Sequence, residues 1–347
     1  MKVRQLSDSK GLSYLHLVML SLYAILLGVL VGLIDAVFGR VLIGLSEFRD
    51  HHLFYLVPAL PLAGLLIVYL YQKFAGKAAQ GMGLIFKVGH NEEDQVPLRL
   101  IPLVTVTTWL THLFGGSAGR EGVAVQLGAT VSHAFSRYFK LPNASCIFLT
   151  MGMAAGFGGL FQTPIAATFF ALEVLTLGQL SLPILVPTLI ASFMASTTSH
   201  LLGLEKFSHF VSKSLTIDLE TFMKLALLGL AFGLAGNLFA YLLSLAKKKV
   251  ASLLPNPYYR VLLGGVVLTC LLLILCKGRY TGLGTNLIAL SVDGGTIYPL
   301  DWLFKLLLTV FTLSLGFQGG EVTHLIMIGA SLGAVLSPNL GLPISIV

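Results

Sequence analysis

Apolar runs long enough to cross a bilayer recur along the whole chain, at 15–45, 53–71, 98–114, 146–172, 182–202, 222–246, 261–276 and 302–315. A hydrocarbon core of roughly 30 Å needs about 20 apolar residues in helical form to span it. Inside lipid every backbone N–H and C=O must be paired within the protein, which leaves only helices or a closed barrel. The alternating strands of a barrel are not found in this sequence. The predicted fold class is therefore an all-α polytopic membrane protein. Composition agrees: 56% of the 347 residues are hydrophobic and 11% charged.

The net charge of +7 is read as a membrane-orienting bias, not as a nucleic-acid surface. Lys2, Arg4 and Lys10 precede the first run, and no small-residue cleavage site follows. This predicts an uncleaved first span, a cytoplasmic N-terminus and residence in the cell membrane. Lys73, Lys77 and Lys247-Lys248-Lys249 mark further cytoplasmic ends. Cys146, Cys270 and Cys276 sit in apolar runs without metal-ligand spacing, and no metal or cofactor is expected.

The two halves resemble one another. Gly81-Met82-Gly83 in the first matches Gly282-Leu283-Gly284 in the second, an offset of 201 residues. Gly128-Ala129 and Gly329-Ala330 follow those loops by the same 47 residues. Glu121 and Glu321 fall between, offset by 200. The first half opens on the cytoplasmic side, whereas the first long helix of the second ends there, at Lys247. The halves thus run in opposite directions, a plan that places a binding site near the bilayer midplane. We divide the single transmembrane domain into a first repeat, 1–210, and an inverted second repeat, 211–347. The glycine-rich stretch 152–164 has no partner before Val347, so the second repeat reads as truncated at the C-terminus.

A carboxylate at membrane depth costs roughly 2.5–3.5 kcal/mol on insertion scales and usually marks an ion or proton pathway. Glu121 lies in Gly115-Gly116-Ser117-Ala118-Gly119-Arg120-Glu121-Gly122, and Glu321 in Gly316-Phe317-Gln318-Gly319-Gly320-Glu321. Both are expected to be buried. Glycines before Glu121 leave the N–H groups of Arg120, Glu121 and Gly122 available at a helix start, where the dipole favours an anion. A tethered carboxylate can fill that site and, once protonated, yield it to a free anion. This is a physical basis for proton–anion exchange. The plainer alternatives are a helix cap or a pair with Arg120; for Glu321, a bond to Thr323 or His324. Met82 offers a soft apolar contact, or simply fills a gap. His112 and His324 are placed to bond backbone carbonyls or to help a proton move.

Gly115 to Gly119 also spells G-x-S-x-G, the nucleophile elbow of hydrolases. That elbow needs a preceding strand and a His–acid pair, whereas 105–114 reads as a membrane helix. The chain is not expected to be an enzyme.

Gly119-Arg120-Glu121-Gly122, with the segment from Gly152 through Pro164 to Ala167, resembles the gating-glutamate signature of the CLC chloride channels and transporters. The resemblance covers nearly the whole chain. Departures from the chloride-selective pattern stand out. Met82 replaces a serine, Val123 a proline, Gly320-Glu321-Val322-Thr323 a Gly-x-Phe-x-Pro motif, and Val174 an inner proton-handling glutamate. Each departure is similar to the fluoride/proton antiporter branch. That resemblance implies export of cytoplasmic fluoride in exchange for protons, with Glu121 as gating carboxylate and Glu321 as a second acid. It further implies an anion site from Met82, Gly83, Phe86, Arg120, Gly122, Val322 and Thr323. The family's dimers imply a homodimer for a complete chain. A chloride/proton exchanger or passive chloride channel of the same family is the alternative.

Overall fold

The computed structural model describes residues 13–139, 141, 143–175, 182–206, 208, 216 and 218–343. Lys2, Arg4, Lys10 and Val347 lie outside them. The described residues form helices joined by short loops. The first five are α1 (Tyr14–His51), the single turn α2 (Leu53–Leu56), α3 (Leu60–Leu70), α4 (Met82–Gly89) and α5 (Leu100–Leu113). Next come α6 (Glu121–Ser136), α7 (Ala144–Phe161), α8 (Pro164–Val174), α9 (Leu185–Leu201) and α10 (Leu219–Leu253). The last four are α11 (Pro257–Ile274), α12 (Thr285–Val292), α13 (Asp301–Leu315) and α14 (Val322–Leu336). Among the described residues, six helical stretches are long and apolar enough to cross a membrane. The protein is a multi-pass membrane protein of the all-α class.

The apolar run 146–172, expected as one span, is two helices. Thr163 precedes Pro164, whose ring disfavours a helical residue before it and which lacks an N–H for the preceding turn. α7 therefore stops at Phe161, with Gln162 left-handed at φ 55°, and α8 restarts with Pro164 in its first turn. The run 53–71 departs the other way. It continues past α3 through a π turn at Tyr71–Ala75 and a 3₁₀ segment at Gly76–Gln80 into α4. The run 98–114 contracts to α5, too short to span by itself.

The chain forms two compact units. The first comprises Met1–Ile43, Leu70–Val106 and Glu121–Phe207; the second comprises Gly44–Tyr69, Thr107–Arg120 and Ser208–Val347. In the first unit, α7 packs against α6, α8 and α9. Lipid tails are as apolar as leucine, so such helices associate through close packing. A methyl group added at Gly128, Gly152 or Gly156 would collide with the facing backbone of α6 or α7. α1 lies on α9 in the same manner through Gly28 and Gly32. The core between them holds Leu20, Leu27, Val31, Phe148, Met151 and Leu172.

In the second unit, α13 packs on α10, α11 and α14, and α12 on α14. α10 begins on Asp218, whose carboxylate accepts from the Thr221 N–H at 2.8 Å. α11 begins on Asn256, whose side chain accepts from the Tyr258 N–H at 2.9 Å. Both satisfy donors that the first helical turn leaves unpaired.

Candidate functional site

The glycine-rich loops after α5 and α13 are built alike. Each helix ends on a left-handed glycine, Gly115 at φ +87° and Gly316 at φ +107°, a conformation that strongly favours a residue without Cβ. These two glycines are 201 residues apart, the offset of the repeat. The loops then pair. Gly119 and Gly320, again 201 apart, exchange N–H···O bonds of 2.8 Å in both directions. The Ser117 N–H donates to Thr312 Oγ1 at 3.3 Å, and the Gln318 N–H donates to Thr111 Oγ1 at 3.2 Å. Each threonine hydroxyl donates in turn to the carbonyl one helical turn back, Thr107 O at 3.0 Å and Leu308 O at 2.7 Å. The arrangement is a local two-fold: each half's helix accepts from a backbone donor of the other half's loop.

This pairing corrects the register of the two acids. With Gly119 opposite Gly320, the equivalent of Glu121 is Val322, and the equivalent of Glu321 is Arg120. Glu121 is the first residue of α6 and is fully buried. Glu321 is the residue before α14, and its side chain is 46% exposed, 3.3 Å from Lys247 Nζ. The expected burial of Glu321 is not found. Lying outside the helix, it turns to the lysine cluster of α10 and makes no cap bond.

The remaining sequence-predicted residues fall on the same starting turns. Arg120 is buried immediately before α6, with Gly122 in its first turn. Val322 and Thr323 open α14, with Thr323 buried. Met82 and Gly83 open α4, with Phe86 one turn on. α4 packs on α6 inside the first unit, and Gly81, left-handed at φ +53°, faces Gln126 of α6. Its repeat partner Gly282 is left-handed too, at φ +57°.

Two buried cations that sequence reasoning passed over brace the loops of the second unit. Arg49 donates from Nη1 to the His112 carbonyl at 2.9 Å and from Nε and Nη2 to Asp50. Lys305, fully buried, donates to the carbonyls of Tyr280 at 2.8 Å and Gly282 at 2.7 Å. A charge inside an apolar run was the available signal for Lys305; Arg49 lies in the charged stretch between two runs and gave none. His112 lies between two carbonyls, Thr108 O 2.8 Å from Nδ1 and Ala118 O 2.7 Å from Nε2. It ties the loop that leads into Glu121 back onto α5.

Ser117 Oγ lies 2.9 Å from Thr309 Oγ1 and 3.4 Å from His324 Nε2. The contact resembles half of a catalytic triad. However, the loop leaves a helix rather than a strand, and Ser117 is fully buried. The group is a polar seam between α13 and α14.

The model of the voltage gated chloride channel family matches residues 63–345. A chloride/fluoride channel protein of Pseudomonas syringae pv. tomato is 33% identical over 325 residues, covering 92% of this chain and 72% of the relative. A crystal structure of a CLC-type fluoride/proton antiporter superposes with a TM-score of 0.94 at 51% identity, covering 96% of this chain and 85% of that one. A slow cyanobacterial Cl⁻/H⁺ antiporter superposes with a TM-score of 0.76 at 19% identity, covering 92% and 79%, a likeness of fold alone.

Proposed function

The chain belongs to the voltage-gated chloride channel (CLC) family, and we propose from that membership that it is a secondary active transporter, exporting cytoplasmic fluoride in exchange for protons. The observation that carries the reading is the likeness, over almost the whole chain, to a solved fluoride/proton antiporter. The site chemistry supports it. Fluoride is small and strongly hydrated, so a carrier must replace its water with strong donors. The opening turns of α6 and α14 lie at the positive ends of helix dipoles, where backbone N–H groups favour an anion. Arg120, Gly122, Val322 and Thr323 lie on those turns. Met82, Gly83 and Phe86 complete the proposed anion-binding set from α4. The edge of the Phe86 ring is electropositive, and the Met82 thioether offers the anion no hydroxyl.

Glu121 is the gating and proton-carrying group in this reading. Ionised, its carboxylate competes with fluoride for the start of α6; protonated, it releases that place. Glu321 is the second acid, poised against Lys247. The transporter is not an enzyme, its N-terminus is cytoplasmic, and the working form is a homodimer. In purified protein reconstituted into vesicles, an imposed proton gradient should drive fluoride uphill. Glu121→Gln should abolish proton movement while leaving a folded protein. Proton flux that persists in the glutamine variant removes Glu121 from this role. The name of the Pseudomonas relative favours a second reading, a passive channel. Fluoride or chloride movement indifferent to the proton gradient would establish that reading instead.

A further inference from the structure

α1 carries a charged residue type on its buried face. Leu20, Ala24, Leu27, Val31, Asp35, Phe38 and Leu42 recur at helical spacing, and all are buried. Every member but one is apolar. Asp35 is fully buried, and neither of its carboxylate oxygens has a hydrogen-bond partner. Space has been left for it. A methyl group added at Gly159 of α7 would collide with Asp35 Oδ2, and Ala195 of α9 closes the same spot. The neighbouring hydroxyls give their protons elsewhere, Ser199 to Gly159 O at 2.6 Å and Ser192 to the carbonyls of Ala154 and Pro164. The charged and titratable neighbours along the packed elements are Arg40 on α1 and His200 on α9. Both are exposed, and Arg40 donates to Leu202 O at 2.8 Å. α7 brings only backbone to this point.

A bare carboxylate in such a place is far costlier than a neutral acid, because no donor or cation offsets its lost hydration. The packing of α1 on α7 and α9 is therefore the packing of Asp35 as a carboxylic acid. We propose that Asp35 is a third proton-binding site of this protein, whose bound proton holds α1 seated on α7 and α9. When the proton leaves, it passes to water reached as α1 lifts from Gly159; when it returns, the seam closes. The sign follows from linkage. The seated form binds one proton more than the lifted form, so rising pH favours the lifted form. The ligand is the proton itself, at a place separate from Glu121 and Glu321.

The test uses the full chain in lipid vesicles and needs no fluoride. Infrared difference spectra between acidic and alkaline buffer should show a carboxylic-acid C=O band in the wild type. That band should shift on ¹³C labelling of aspartate and vanish in Asp35→Asn. The wild type's melting temperature should fall as pH rises, while Asp35→Asn and Asp35→Val should lose this slope and match or exceed the wild type at alkaline pH. A wild type without an aspartic-acid band at neutral pH overturns the proposal. So does an Asp35→Asn protein that keeps the band or the slope. Should both variants misfold, the labelled wild-type spectrum decides alone.

Discussion

Glu121 and Glu321 look like a matched pair in the sequence, yet they occupy different steps of the same local geometry. The bond between Gly119 and Gly320 sets the register, and it places Glu121 inside α6 and Glu321 outside α14. The difference is one residue, and it separates a buried acid from a half-exposed one beside a lysine. The threonines enforce that register. Thr312 accepts from the buried Ser117 N–H and Thr111 from the part-buried Gln318 N–H, each while donating to its own helix. Thr312→Val keeps the shape but strands the buried Ser117 N–H, whereas Thr111→Val removes an acceptor from the part-buried N–H of Gln318. A buried donor left without an acceptor costs about 1–3 kcal/mol. Thr312→Val should lose stability of that order in chemical unfolding, and Thr111→Val less, because the Gln318 N–H is only part-buried. The double variant should lose less than the sum, because the first substitution already loosens the paired loops. Strict additivity would mean that the loops hold their shape independently.

At the scale of elements, small residues do the work that hydrophobicity does in water. α6 and α7 approach until Gly128, Gly152 and Gly156 touch the opposite backbone. Gly152→Leu cannot be absorbed by a rotamer change, because the obstruction is the carbonyl of Gly128 rather than a flexible side chain. We expect the variant to express poorly or to melt well below the wild type. Gly229→Leu should be tolerated, since nothing lies within 4 Å of a Cβ at that position of α10. Thermal unfolding of the two in one detergent checks both, and equal losses would mean that glycine spacing is not what seats these helices. Here the limit of sequence reading is clear. Hydropathy located each apolar stretch, but it could not see the break before Pro164, because the residues on both sides are equally apolar. Nor could it tell the lipid-facing side of α1 from the buried one. α1 is apolar all round, so the burial of Asp35 emerges only from what packs against it.

The likeness between the loops of the two halves was legible because glycine marks backbone rather than side-chain requirements. The offset of 201 residues joins Gly81 to Gly282, Gly115 to Gly316 and Gly119 to Gly320, and the first two pairs share left-handed backbones. Loop geometry was thus written into the sequence as spacing. The buried cations Arg49 and Lys305 were not: Lys305 is a lone charge in an apolar run, Arg49 lies in a charged stretch between two runs, and neither context says which carbonyls the side chain will meet.

The same repeat makes a claim about orientation across the membrane. α1 follows the basic N-terminal sequence, while α10 carries Lys247 to Lys249 near its C-terminal end. α10 has 35 residues and is about 50 Å long, enough to cross with its ends in water. Positive residues favour the cytoplasmic face, so Ser13 and Lys248 belong on one side and Asp218 on the other. Single cysteines at these positions, in a background with Cys270→Ser and Cys276→Ser, should separate under a membrane-impermeant maleimide. In intact cells only Asp218→Cys should be labelled; Ser13→Cys and Lys248→Cys should react once the inner face is opened. Labelling of Lys248→Cys from outside would invert α10. The second repeat would then run parallel to the first, against the inverted plan read from the sequence.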